Sequence, residues 1–321
     1  MVKALNLALR QEMERDPDVL VIGEDVGVDG GVFRVTEDLQ RAFGSRRVID
    51  SPLAEAAIVG TSIGMAFYGL KPVCEIQFSG FAFQCFHHFE NHAARYRMRT
   101  QGRFHVPVVV RMPFGGGVRA LEHHSESEEQ FYAHVPGLKI VVPSGPRNAR
   151  ALLVSAIRDP DPVIFFEHKA LYHASREEVP DEPEALPLGQ ARVVREGSAL
   201  TLIAYGAMLR VALEAAETLA REDRVEAEVI DLLTISPLDR GTIVASVSKT
   251  GRAVIVHEAP GSFGAGAEIA ASIMEGAFLS LEAPIRRVTA YDVPFVGFAR
   301  ERANVPDAAR VVAAARETLS F

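Results

Sequence analysis

The feature that most constrains this chain is an alternation that runs once, stops at an acidic, proline-rich break, and then runs again. In the first half, apolar runs of strand length stand at VLVIGE (19–24), PVCEIQF (72–78), VPVVVRM (106–112), KIVVP (139–143) and PVIFFE (162–167). Helical periodicity between them predicts helices near 3–15, 53–69, 80–99, 125–134 and 146–158. Short, fully apolar strands separated by helices imply a mostly parallel sheet covered on both faces. The break, EEVPDEPEALP (177–187), holds three prolines and five acidic residues. Its prolines resist helix and central strand alike, so it reads as an extended linker. Beyond it the pattern restarts, with strands expected at 198–206, 226–232, 252–258 and 285–291 and helices at 208–222, 239–250, 263–278 and 307–319. The fold class is therefore α/β, with two domains, 1–176 and 188–321, joined by 177–187.

A net charge of −8 argues against nonspecific nucleic-acid binding, because nothing neutralises a phosphate backbone. Cys74 and Cys85 fit neither a redox pair nor a zinc site and read as buried free thiols. The start, MVKALNLALRQEMERD, mixes charge among its apolar residues and is no secretory signal. A cytoplasmic chain is expected, or a mitochondrial matrix one had a transit peptide been removed. The uncharged stretch AAIVGTSIGMAFYGL (56–70) is shorter than the roughly 20 residues of a membrane span and reads as a helix buried on all sides.

Two segments carry chemical promise. In DSPLAEAAIVGTSIGMAFYG (50–69), Ser51 is placed to cap a helix and Pro52 suits its first position. Glu55 then falls in the second turn, the sole charge on a long apolar helix. A lone buried carboxylate must pair or stay protonated; the plainer reading is a carboxylate favoured by the helix dipole. In RMPFGGGVRALEHHSESEEQF (111–131), a strand runs into a glycine-rich loop, and His123 and His124 precede a helix capped by Ser125 or Ser127. That is the carboxyl side of a parallel strand, where α/β sheets bind ligands, although a solvated histidine pair is the plainer account. His88 and His92 lack the glutamate of a zinc-protease pattern. FGAG (263–266) reads as close packing, and no GxSxG is present.

The segments DSPLAEAAIVGTSIGMAFYGLKPVCEIQF (50–78), VVVRMPFGGGV (108–118), HHSESEEQFYAHVPGLKIVVPS (123–144), KTGRAVIVHEAP (249–260) and LSLEAPIRRVTAYDVPF (279–295) resemble, in order, the beta subunits of thiamine-diphosphate-dependent 2-oxo acid dehydrogenases. The resemblance implies a pyrimidine-binding domain followed by a transketolase C-terminal-like domain. It implies that Glu55 hydrogen-bonds a ring nitrogen of the thiamine aminopyrimidine, that Phe81 and Gln84 line the pyrimidine pocket, and that His124 acts near the reacting carbon. It also implies a potassium ion held by Val108, Ala156, Ile157, Asp159 and Asp161, mostly through main-chain oxygens. Asp161 stands where many relatives have asparagine. HisHis (87–88) and the glutamates of HHSESEE also depart from the family pattern.

No GDG motif is present for a diphosphate and magnesium. The resemblance therefore implies an alpha subunit that holds both, an assembly of two alpha and two beta chains, and a lipoyl acyltransferase that takes the acyl group. EIQF (75–78) and FFEHKALY (165–172) resemble the branched-chain members, which implies a branched-chain 2-oxo acid as substrate, with a pyruvate or acetoin dehydrogenase as the alternative. A non-catalytic scaffold subunit and a flavodoxin-like nucleotide-binding module are the other classes open to such a chain.

Overall fold

The computed structural model describes residues 1–321. Its contacts divide into two units, Met1–Phe114 with Phe131–Leu188, and Gly115–Gln130 with Gly189–Phe321. The glycine-rich segment after 114 thus groups with the second unit.

In the first unit the strands are β1 (Val19–Gly23), β2 (Val48–Asp50), β3 (Lys71–Glu75), β4 (Val109–Phe114), β5 (Lys139–Val141) and β6 (Val163–His168). They run in the order β5-β6-β4-β3-β1-β2, every pair parallel. β1, β4 and β6 are buried along their whole length, as apolar strands covered on both faces must be. The chain leaves β1 toward β2 on one side and returns to β3 on the other. The carboxyl ends of β1 and β3 thus form a topological switch point, where a parallel sheet opens a crevice. The long helices are α1 (Val2–Arg15), α2 (Glu55–Phe67) and α3 (Pro146–Arg158). Buried Glu12 of α1 takes Arg158 of α3 at 2.6 Å and Arg15 at 2.8 Å, which clasps these two helices.

The 177–187 segment has no helix or strand, but it is not free. Arg150 donates to the carbonyls of Pro180 at 2.6 Å and Asp181 at 3.2 Å, and Arg147 pairs with Glu184. With no strand ladder to take them, these two carbonyls are met by Arg150 of α3.

The second unit holds β7 (Arg192–Arg195), β8 (Leu200–Ala204), β9 (Ala227–Asp231), β10 (Thr234–Ser236), β11 (Ala253–Pro260) and β12 (Arg286–Ala290). Five of these form a sheet in the order β12-β11-β8-β9-β7, parallel except for β7 at the edge. The helices are α4 (Met208–Asp223), α5 (Arg240–Thr250), α6 (Ala265–Ala277) and α7 (Ala308–Leu319). On one face Leu200, Leu202, Val254 and Val256 pack against Ala212 and Leu219 of α4 and Val311 and Ala315 of α7. On the other, Thr201 hydrogen-bonds Ser246 and Thr250 of α5. No helix is long and apolar enough to cross a membrane.

Three helical expectations need correction. α2 starts at Glu55, with Ala54 as its cap residue and no side-chain cap bond. Ser51 and Pro52 both precede the helix start: the Ser51 N–H donates to the carbonyl of Gly23, prolonging the β1–β2 ladder, and its hydroxyl donates to the carbonyl of Pro52 at 3.0 Å. Nor is α2 buried on all sides: Ala57, Thr61, Gly64 and Tyr68, spaced as one helical face, are exposed. The expected helix over 80–99 is broken into a 3-10 segment (Ser79–Cys85), one α turn, a π turn (Phe89–Ala93) and Tyr96–Arg99. The one over 125–134 shortens to Glu129–Ala133.

Candidate active site

Glu55 is the first residue of α2, at the carboxyl edge of the first sheet, and only 5% exposed. No hydrogen bond or ion pair within the chain reaches its carboxylate. Beside it lies Glu24, at the end of β1 and 7% exposed. Burial, and then the nearby Glu55 and Asp25 carboxylates, raise Glu24 above the ordinary carboxylate range. Sequence reasoning passed over Glu24. The signal available was its position as the acid ending an otherwise apolar strand.

Burial also pushes the thiols of Cys74 and Cys85 up to about 12, with Glu55 among the charges acting on Cys85. Both are free and buried, as the sequence led us to expect. They stay protonated, so neither is a nucleophile.

Phe81 and Gln84 lie on the 3-10 segment that follows β3. Phe81 is half-buried and meets the ring of Phe78 edge-on at 6.0 Å, while Gln84 is exposed. Both belong to the same unit as Glu55. In the wide turn beyond, the rings of His87, His88 and His92 lie 5.2–5.8 Å apart. No group of three His, Cys, Asp or Glu side chains forms a metal set.

His124 ends a 3-10 turn, Glu122–His124, and is half-buried in the second unit. His123 is exposed, 3.6 Å from Glu126. The glycine-rich loop before them is tied down by two acids that sequence reasoning did not link to it. Glu258 accepts from the N–H of Gly116 at 2.5 Å, and Glu301 accepts from those of Gly117 and Arg119 at 2.9 and 3.1 Å. No local signal marks Glu301, which sits in an ordinary charged stretch, FARERAN (298–304).

The five positions expected to hold potassium come together at the amino end of β6 and the end of α3. The carbonyl of Val108 already accepts from Val163, and that of Ala156 from Asp159. Asp159 is matched by Lys139 at 2.6 Å and Asp161 by Arg97 at 2.6 Å. Ile157 is buried.

A family model, Transketolase, pyrimidine binding domain, matches residues 1–174, and a second, Transketolase, C-terminal domain, matches 189–311. The chain is 50% identical over 321 residues to the pyruvate dehydrogenase E1 component subunit beta of Staphylococcus epidermidis, covering 100% of this chain and 98% of that one. The chain belongs to the transketolase-like beta subunits of 2-oxo acid dehydrogenases. The Staphylococcus aureus protein of the same name is 49% identical over the same coverage. A solved structure titled "Split gene transketolase, inactive beta4 tetramer" superposes with a TM-score of 0.81 at 24% identity, covering 99% of this chain and 97% of that chain, which shows the same fold. For a member of this family, the switch-point acid Glu55 and the half-buried ring of Phe81 fall in the part matched by the pyrimidine-binding model, and His124 falls there too.

Proposed function

We propose that this chain is the beta subunit of a pyruvate dehydrogenase and that Glu55 is the residue through which it engages the pyrimidine end of thiamine diphosphate. One observation carries the reading: a carboxylate buried to 5% exposure at the switch point of a parallel sheet, with no partner in its own chain. Such a group costs stability unless something satisfies it, and a protonated ring nitrogen is a donor of the right kind. The bound coenzyme supplies the nucleophilic carbon and the electron sink for decarboxylation. Glu55 contributes one hydrogen bond in a dry setting, where it is stronger than in water. Phe81 offers an aromatic edge to a heteroaromatic ring and Gln84 an amide at its rim. The imidazole of His124 moves a proton at the substrate oxygen or at the incoming lipoyl sulfur.

The absence of a GDG motif supports a partner alpha subunit that grips the diphosphate and its magnesium. The exposed face of α2, with Ala57, Thr61, Gly64 and Tyr68, supports close docking of another chain. The assembly proposed is two alpha and two beta subunits, delivering the acyl group to a lipoyl acyltransferase. Residues 1–176 would serve the cofactor and 188–321 the assembly, with 177–187 between them. Because Lys139 and Arg97 already match the carboxylates of Asp159 and Asp161, a potassium ion would rest on the main-chain oxygens of Val108, Ala156, Ile157, Asp159 and Asp161.

The full-length likeness to pyruvate dehydrogenase subunits favours pyruvate over the branched-chain acids suggested by EIQF and FFEHKALY. Co-expression with the alpha subunit, followed by assay with pyruvate, 3-methyl-2-oxobutanoate and acetoin, tests this. Lipoyl reduction should be fastest with pyruvate. A preference for 3-methyl-2-oxobutanoate would restore the branched-chain reading, and no turnover of any of the three would favour a scaffold subunit.

A further inference from the structure

The loop that carries His124 is pinned at its base and at its crown. At the base, the N–H of Gly115 donates to the carbonyl of Glu126 at 2.9 Å. At the crown, the N–H groups of Gly116, Gly117 and Arg119 all end on carboxylates, Glu258 for the first and Glu301 for the other two. Gly115, Gly117 and Arg119 have φ values of 76, 90 and 58°. Residues in this region turn successive N–H groups inward and form a concavity that suits an anion. Here the anion belongs to the protein.

Glu301 is 4% exposed, and no lysine or arginine pairs with it. Its charge is met by loop N–H groups, and these bonds in turn hold Arg119, a residue with a side chain, in a left-handed conformation that costs free energy by itself. Phe295 packs against the crown: a methyl group at Gly116 would stand 2.7 Å from its Cζ. Only the stretch from Ala120 to Ser125 lies between the last crown contact and the base, and His124 is in it. Its main chain is set by local turns, His124 N–H to Leu121 at 3.0 Å and Ser125 N–H to Glu122 at 2.9 Å. With both ends pinned and a turn between, the main chain that carries the imidazole has little freedom.

We infer that Glu301, assisted by Glu258, is a positioning residue that acts through the loop on His124. The inference rests on the proposed role of His124, but the tether itself is measurable without that role.

In the full chain, Glu301→Gln keeps the shape of the side chain and places an amide donor against an N–H group. Trypsin cleavage after the exposed Arg119 should accelerate by about tenfold, because cleavage needs local opening of the loop. An unchanged cleavage rate would overturn the tether. In the enzyme assembled with its alpha subunit, Glu301→Gln should lower kcat by about tenfold, and by less than about twofold in a His124→Asn background, since two residues acting through one path are not additive. Losses that multiply in the double variant would overturn the positioning role, because a general loss of structure does not depend on the histidine. Should Glu301→Gln fail to fold, Gly116→Ala keeps both acids and displaces the crown against Phe295. It should give the same protease sensitivity and the same non-additivity with His124→Asn, and failure of either overturns the inference. A wild-type assembly with no activity, together with a working protease result, would instead count against the proposed function.

Discussion

Two pairs of buried glutamates lie in the first unit, and they have opposite surroundings. Glu75 on β3 and Glu167 on β6 share the guanidinium of Arg111 on β4, at 2.6, 2.7 and 2.8 Å, and the hydroxyl of Tyr172 donates to Glu167 at 2.7 Å. All four residues are at most 4% exposed. Glu24 and Glu55 are nearly as buried, yet no donor of their own chain meets them. The first pair is closed on itself and holds three strands together. The second, at the switch point, has no such donor within the chain. A charge whose partners come from the fold is a structural device; one whose partners are missing points to a ligand.

The largest effect expected from this contrast is on activity alone. Glu55→Gln should lower decarboxylation by about 10²–10⁴-fold, the range for loss of a group that governs proton movement. Denaturant unfolding of the same variant should show stability equal to or above wild type, because the native carboxylate has no bond to lose. A matching fall in both would place Glu55 with the structural pair. Arg111→Met should behave in the reverse sense. It leaves two carboxylates buried with no counter-charge and should cost about 3–5 kcal/mol in the unfolding free energy. Loss of activity without loss of stability would break the contrast from the other side.

How much of this was legible in the sequence depended on whether the cause was local. The apolar runs that became β1, β3, β4, β6 and β8 could be read because burial on both faces leaves a continuous hydrophobic signature. β2 and β10, three residues each, escaped, whereas β5, as short, was read because its apolar run KIVVP extends past the strand; β7 escaped because an exposed edge strand, RVVR, looks like any charged stretch. The segment 80–99 has no proline and keeps apolar residues at helical spacing. Its change to 3-10 and π winding was invisible, since Cys85, Phe89 and Ala93, buried in the structure, keep the i, i+4 spacing of an ordinary helix. Glu55 announced itself as a solitary charge among apolar residues. Glu258 and Glu301 did not, because their meaning lies in main-chain groups more than a hundred residues away.

The second unit offers a harder test of the same contrast. His257 on β11 is 0% exposed, stacked on Tyr205 at 6.2 Å. Methyl groups at Gly264 and Gly266 would come within 2.6 and 2.5 Å of its ring, which accounts for the FGAG glycines as close packing. Burial first, and then the charge of Arg287, lower its pKa to about 4. Its resolution differs from that of Glu55: the ring can simply stay neutral, and packing leaves it no ligand. The unfolded chain takes up the proton near pH 6.5 and the folded chain only near 4. Stability is therefore full above 6.5 and falls as the pH drops between those values, by about 3 kcal/mol across the window. Comparing wild type with His257→Phe at pH 7 and pH 4 cancels the carboxylates common to both. The variant should gain on wild type by that amount on acidification, with activity of the assembled enzyme at pH 7 retained. A pH-independent difference would mean that the buried ring finds a compensating partner, and missing partners would then be a weaker guide to ligand sites than Glu55 suggests.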